Sequence, residues 1–328
     1  MSIAPPDVPA PPDVPADAAP GAPRADDPGA GADPFAGADL AGATVARDEP
    51  LAEKTWLRVG GPAQHFAEPE TEDQLRALVT QCAATDTGCR LLGGGSNLLV
   101  RDEGVSGLVI RLPKEHWGRL EIDADSGAVS VDCGVPLSHL VAETVKAGLA
   151  GMETLVGIPG TVGGALHGNS GGRNSDVGQT CESVDVMTVA GETRTRTRAE
   201  MSFGYRASSL DELCLLRATF KLTPADPAAL TDRARKTWIL KKSSQPLSHQ
   251  SAGCVFKNPR GQSAGDLIER AGLKGTRVGG AEVSDRHGNF FVTSPDAKSA
   301  DVLRLIDLVR DTVLQRTGAE LELELRVW

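Results

Sequence analysis

Residues 157–172 read GIPGTVGGALHGNSGG, and this stretch restricts the fold more than any other. Seven of its sixteen residues are glycine, and none is Lys, Arg, Asp or Glu. Glycine adopts φ > 0 at little cost and lets a backbone come close to a ligand. A segment so poor in side chains buries little apolar surface, so another contact must offset the entropy of ordering it. Val162, Ala165 and Leu166 give enough apolar character for a short helix, whose N–H groups are expected to face a phosphate. The other reading is a mobile surface loop, but Gly/Ser linkers lack an internal Ile158-Pro159-Gly160 and a helix-compatible apolar set.

A second glycine cluster strengthens the ligand reading. Leu91 to Val100, LLGGGSNLLV, is an apolar strand, a three-glycine turn, Ser96, Asn97 and another apolar run. Consecutive backbone amides in such a turn form an anion-binding nest. The turn is not GxGxxG with a following helix, and no Lys-Ser/Thr follows it, which excludes a Rossmann site and a Walker loop. Two glycine-rich turns of no common nucleotide type suggest a long ligand with a diphosphate held between them.

The net charge of -10 is concentrated at one end. Residues 1–50 hold nine Asp/Glu against two Arg, a net of -7, so the rest of the chain carries only -3. A nucleic-acid binder shows a basic surface, and this chain has none in prospect. Ten of the 21 prolines lie in the first 34 residues, and APPDVPA occurs there twice with nothing to bury. Residues 1–47 are therefore expected to be a disordered acidic tail. No apolar run is long enough to span a membrane, and no basic stretch precedes an apolar one at the N-terminus, so a cytoplasmic protein is expected. The six cysteines form no CxxC pair and the six histidines no HExxH, so no metal site is expected.

Periodicity organises the remainder. Thr71 caps a helix with Leu75, Leu78, Val79 and Cys82 on one face, and Pro136 opens another that runs to Lys146. Val184–Val189 and Thr193–Thr197 read as a hairpin, Cys214–Leu222 as a long strand, and Asp226–Lys242 as a helix stopped by Pro246. Thr55–Val59, Ser251–Pro259 and the strictly alternating Leu321–Trp328 also read as strands, with a helix over Ala300–Arg316.

Three constellations are able to carry chemistry. FGYRASS holds Arg206 beside Tyr205, the only tyrosine. SAGCVFKNP frames Cys254 with small residues and places Lys257 and Asn258 nearby; a thiol with an ordinary pKa of about 8.5 is mostly protonated at neutral pH and able to give up a proton. Glu320, Glu322 and Glu324 alternate along the last strand, and Glu324, near Arg326, is the carboxylate best placed to enter a cleft.

In order, TWLRVGGPA, LGGGSNLLV, GIPGTVGGA, FGYRASS, QPLSHQSAGCVFKNP, AGDLIERAGLKGTRVGGAEVS, HGNFFV and the final ELRV resemble the UDP-N-acetylenolpyruvoylglucosamine reductase family from Thr55 to Val327. The resemblance implies an α+β fold, with a two-lobed FAD-binding domain of the vanillyl-alcohol-oxidase (PCMH) type followed by a smaller α+β substrate domain. The corresponding boundaries are a tail at 1–47, FAD-binding lobes at 48–112 and 113–222, and a substrate domain at 223–328. By this resemblance Arg58, Gly93, Gly94, Gly95, Ser96, Asn97, Gly157, Ile158, Pro159, Gly160, Thr161, Gly163, Gly164 and Asn169 surround FAD. Tyr205, Gln245, Lys257, Asn258 and Arg326 contact a UDP-sugar. The catalytic Arg falls on Arg206, the proton donor on Cys254 and the catalytic Glu on Glu324. NADPH is the implied reductant, the implied product is UDP-N-acetylmuramate, and a monomer is expected. Tyr205 being the only tyrosine, the extra tyrosine-bearing loop of one subtype is absent.

Two departures stand out. The family usually has Ser where this chain has Cys254. It commonly reads VxMNAGAYGGEI where this chain has LHGNSGGRNSDV, so Arg173 replaces the local Tyr. Another FAD oxidoreductase of the same fold, acting on a hydroxy acid or sugar, and a non-catalytic nucleotide-sugar-binding protein remain the alternatives.

Overall fold

A computed structural model describes residues 33–172 and 175–328. The expected tail up to residue 32, and Arg173, lie outside the described residues.

The first lobe contains β1 (Ala46–Pro50), β2 (Pro62–Ala67), α1 (Glu72–Ala84), β3 (Cys89–Leu92), β4 (Leu98–Leu99) and β5 (Val105–Arg111). Its sheet order is β1-β2-β5-β3, with β5 parallel to both β2 and β3. The Thr71 hydroxyl accepts the Gln74 N–H at 3.2 Å, capping α1 as its sequence predicts, and Leu75, Leu78, Val79 and Cys82 are buried against the sheet. The expected tail boundary at residue 47 falls too late. Phe35 and Leu40 are buried in the α1 cluster, Arg47 pairs with Asp33 at 2.7 Å, and β1 is an edge strand on β2. Two apolar residues in a Pro/Gly/Asp-rich segment gave too little pattern to be read as packed.

The second lobe runs through β6 (Leu120–Asp123), β7 (Ala128–Asp132), α2 (Leu137–Lys146), β8 (Leu149–Ala150), α3 (Val162–His167), β9 (Cys181–Met187), β10 (Thr193–Thr197), β11 (Phe203–Gly204), β12 (Ala207–Ser208), β13 (Cys214–Lys221) and β14 (Thr223–Pro224). Its antiparallel sheet has the order β10-β9-β13-β7-β6, and α2 and α3 bury their apolar stripes in one cluster with it. The next helix, α4 (Pro227–Ser244), belongs here by packing: Leu230 joins that cluster, Arg233 pairs with Glu153 at 3.2 Å, and Lys241 Nζ donates to the Val156 carbonyl at 2.7 Å. The expected substrate-domain boundary at 223 is thus too early, because one buried leucine and two polar contacts tie α4 backwards.

The last unit has α5 (Ala264–Arg270), β15 (Arg277–Val278), β16 (Ala281–Val283), β17 (Phe291–Thr293), α6 (Ser299–Thr317) and β18 (Arg326–Val327). α6 lays Val302, Leu305, Ile306, Val309 and Val313 into a core that also takes Leu57, Val59 and Leu99 from the first lobe. Asp102 reaches across to accept the Ser299 and Ala300 N–H groups at 2.9 and 3.2 Å, capping α6 from the first lobe. Three expected strands are mostly irregular. Thr55–Val59 turns at Arg58, with φ +55. Ser251–Pro259 makes only single bridges, Cys254 with Phe290 and Phe256 with Leu323. At the C-terminus only Arg326–Val327 joins a ladder, parallel to β4.

Candidate active site

The two glycine turns lie against each other. A Cβ on Gly93 would sit 2.9 Å from Thr161 Oγ1, one on Gly94 2.8 Å from Gly160 Cα, and one on Gly160 2.7 Å from Ser96 Oγ. Real Cβ atoms do not come so close, so the backbones meet only because neither side carries a side chain. On its other side the first turn is held by the Gly95 carbonyl, which accepts the Trp56 N–H at 3.0 Å. Among the described residues no protein acceptor faces the N–H groups of Gly93, Gly94, Gly95 or Ser96. Beside this cradle opens a cleft of about 470 Å³, lined by Trp56, Arg58, Gly93, Gly94, Arg111 and Leu247–Gln250. A second cavity of about 400 Å³ lies under Asp33–Val45 and brings none of the expected site residues together.

α3 corrects the phosphate expectation for its own N-terminus. The Val162 and Gly163 N–H groups donate to Val135 and Cys133 carbonyls, both at 2.9 Å, and Thr161 Oγ1 accepts the Gly164 N–H at 3.3 Å. Gly163 therefore serves close packing on Cys133, and Ile158 packs on the second-lobe core. The N–H groups without a protein acceptor among the described residues lie in both turns, at Gly93–Ser96 and at Gly160–Thr161. Gly157, with φ +76, abuts the Trp238 ring, which no sequence pattern had connected to it.

Charge gathers where the Tyr205-Arg206 turn meets the C-terminus. The two-residue β11–β12 hairpin forces Arg206 to φ +56 and presents its guanidinium, whose Nε lies 2.6 Å from Glu324 Oε1. The pair is electrostatic in geometry, because the Nε–H direction misses hydrogen-bond alignment. Burial raises the Glu324 pKa, while Arg206 and Lys257 pull it back. Cys254 is close enough for both groups to act on it. Burial, then the Glu324 carboxylate, push its thiol up to about 12, against Arg206 and a hydrogen bond from Asn289.

Asn289 is a residue the sequence reading missed. It is buried, its side chain accepts the Phe256 N–H at 2.9 Å and donates to the Phe256 carbonyl at 2.7 Å, and its carbonyl accepts the Val255 N–H at 2.9 Å. It fixes the irregular Cys254 segment from behind; an amide directly before the apolar pair Phe290-Phe291 was the available signal. Lys241 was missed as well. Burial and the neighbouring Arg206 lower its pKa to about 8.

The remaining expected residues divide. Tyr205 Oη accepts the Asn258 N–H at 3.2 Å, and Asn258 Oδ1 accepts the Ala264 N–H at 2.9 Å, which joins the Arg206 turn to the start of α5. Lys257 pairs with Glu322. Arg326 sits in β18, and Gln245 ends α4 just before the cleft-lining segment. Asn97 and Asn169 both engage backbone groups of the protein with their side chains. Asn97 Nδ2 donates to the Glu324 carbonyl at 2.9 Å; Asn169 Nδ2 donates to the Gly204 carbonyl at 2.8 Å, and its Oδ1 accepts the Gly178 N–H at 3.1 Å.

A bare-backbone cradle flanked by two α+β lobes, with a cation from the second lobe meeting an acid and a thiol from a third unit, has the make-up of a flavin-dependent oxidoreductase with an FAD-binding domain. The unpartnered amides and the cleft beside them fit a diphosphate-containing cofactor such as FAD. Residues 63–197 match the FAD binding domain, and residues 245–328 match the UDP-N-acetylenolpyruvoylglucosamine reductase C-terminal domain. The chain belongs to the UDP-N-acetylenolpyruvoylglucosamine reductase family. UDP-N-acetylenolpyruvoylglucosamine reductase 2 of Symbiobacterium thermophilum is 40% identical over 87% of this chain and 92% of its own length. The reductase of Syntrophobacter fumaroxidans is 41% identical over 85% of this chain and 82% of its own. The crystal structure of the Thermus caldophilus reductase superposes with a TM-score of 0.74 at 40% identity, covering 87% of this chain and 98% of that one. Among the described residues no helix is long and apolar enough to cross a membrane, and no His/Cys/Asp/Glu group is arranged to hold a metal.

Proposed function

We propose that this chain catalyses the NADPH-dependent reduction of UDP-N-acetylglucosamine enolpyruvate to UDP-N-acetylmuramate, acting as a cytoplasmic monomer in peptidoglycan precursor synthesis, on which cell shape and division depend. The observation that carries the reading is the 2.6 Å Arg206–Glu324 pair with Cys254 beside it, next to the glycine cradle.

The Gly93–Ser96 amides, the Gly160–Thr161 turn and Arg58 would hold FAD, which when bound would supply the hydride relay between reductant and vinyl ether. The chain's own groups handle charge and protons. The Arg206 guanidinium faces the enolpyruvyl carboxylate and stabilises the negative charge that builds there. Glu324, paired with Arg206 and with its pKa raised by burial, holds that guanidinium in place beside the same charge. Cys254 keeps its S–H across the working pH range and delivers that proton to the alpha carbon. Tyr205, Lys257 and Asn258, clustered at the mouth, hold the nucleotide-sugar.

The test is a visible absorption spectrum of the purified protein. A flavin band that bleaches with NADPH and returns, without oxygen, on adding the enolpyruvyl nucleotide-sugar is the expected result. A colourless protein that takes up no FAD, or a reduced band that this substrate leaves bleached, would sink the proposal.

A further inference from the structure

Each member of the Arg206–Glu324 pair is suspended from one of the two glycine turns. Asn97 is the last residue of the Gly93–Asn97 turn. Its Nδ2 donates to the Glu324 carbonyl at 2.9 Å, and its own carbonyl accepts the Arg326 N–H at 3.1 Å. The Glu324 segment is therefore gripped on both sides by the turn, with β18 on β4 continuing the attachment. On the other side, α3 follows directly on Gly160–Thr161 and is followed, after Gly168, by Asn169, which has φ +42 and is 2% exposed. Asn169 Nδ2 holds the Gly204 carbonyl at 2.8 Å, and Ser208 Oγ donates to the His167 carbonyl at 2.9 Å. Gly204 and Ser208 flank the Tyr205-Arg206 turn, so the end of α3 holds both strands of the Arg206 hairpin. The two turns touch directly through Gly94 and Gly160.

We propose that Asn97 and Asn169 are positioning residues that fix Glu324 and Arg206 to the two turns, so that the spacing of the turns sets the catalytic ion pair. This deepens the reductase reading and rests on it. The alternative, which the sequence favoured, makes both asparagines cofactor ligands. The geometry disagrees, because Asn169 has its donor and its acceptor engaged by backbone and Asn97 points its donor at the Glu324 carbonyl. A displacement near 1 Å at a reacting group costs on the order of a hundredfold in rate, so small slack in either attachment is measurable.

The experiment compares the FAD-loaded parent with Asn97→Ala, at an exposed site, and Asn169→Asp, nearly isosteric but without the donor to Gly204. Three quantities are read: the FAD dissociation constant from flavin fluorescence, the rates of reduction by NADPH and reoxidation by the enolpyruvyl substrate, and the Glu324 carboxyl titration by ¹³C NMR, assigned with Glu324→Gln. FAD affinity and the NADPH step should stay within about threefold, and reoxidation should slow by about 10- to 100-fold. Glu324 faces Arg206, Lys257 and Cys254. Losing Arg206 from its place removes a charge that holds the carboxyl down, so the carboxyl should titrate at higher pH in both variants. An FAD dissociation constant that rises in step with the loss of reoxidation would make the asparagines cofactor ligands and overturn the proposal, as would an unmoved Glu324 titration. If the parent itself is not reoxidised by the substrate, the reductase reading fails, and the carboxyl titration still decides the positioning role.

Discussion

Cys254 stands where the family usually has a serine, and its surroundings decide whether a thiol serves there. An exposed cysteine ionises near pH 9; burial and the Glu324 carboxylate push this one up to about 12. Cys254→Ala is expected to leave bleaching by NADPH intact and slow reoxidation by roughly 100- to 10,000-fold, the range for losing a general acid, while Cys254→Ser restores most of it. Normal turnover by the alanine variant would end the assignment. Alkylation of Cys254 by iodoacetamide, followed by peptide mapping, should keep rising with pH and not level off below about pH 10, since reaction follows the thiolate. A plateau near pH 8–9 would mean an ordinary thiol. Burial also raises Cys133, Cys181 and Cys214. For a raised acid, the folded state holds its proton more tightly than the unfolded chain. That contribution to stability is complete below about pH 9 and is lost as pH climbs toward the folded values, so the melting temperature should fall steeply above pH 9. A flat melting curve from pH 8 to 10.5 would contradict the buried, neutral thiols. At this scale the sequence already exposed Arg206, Cys254 and Glu324. Asn289 escaped because a single amide between Gly288 and Phe290 has no periodicity to mark it.

At the level of elements, apolar spacing predicted α1, α2, α3 and α6 to within a few residues, since a helix satisfies its hydrogen bonds internally. The failures were strands, whose partners lie elsewhere in the chain. Leu321–Trp328 alternates strictly, but alternation assigns faces and does not supply a neighbour. The segment divides itself between Phe256 and β4. The α3 terminus failed for a related reason: its first N–H groups are claimed by Cys133 and Val135, which precede it in the chain by some thirty residues. The glycines of the cradle allow a sharp test. Gly160→Ala would hold alanine at φ +102 and press its methyl on Ser96, a strain of about 1–3 kcal/mol. The expected result is FAD binding weakened at least about tenfold with the circular dichroism spectrum unchanged. Unaltered FAD affinity would show that this turn does not touch the cofactor.

For the whole molecule, the third unit is bound to the first lobe by Leu57, Val59, Leu99 and the Asp102 cap, while α4 stays with the second lobe. The Arg206–Glu324 pair therefore spans the join between two larger bodies. Removing residues 1–32 is expected to leave turnover and melting temperature unchanged. Removing 1–47 also takes Phe35 and Leu40 out of the α1 cluster and the first two of the five residues of β1 from its edge. Loss of a buried phenylalanine alone costs about 3–5 kcal/mol, so the melting temperature should drop by at least about 6 °C. Equal melting of the two truncations would mean that the packed segment contributes nothing. The order of the motifs, the bare-backbone turns and the helices were determined by the amino-acid sequence, because each rests on local spacing or on the chemistry of a residue type, and Arg206, Cys254 and Glu324 were marked there as candidates by the family resemblance. That the first N–H groups of α3 are taken by Val135 and Cys133, where the packed chain begins, which body takes α4, and how Arg206, Cys254 and Glu324 meet were decided only by the tertiary structure. Each of those depends on a hydrogen bond or a buried contact between residues far apart in the chain, and no local pattern encodes such a partner.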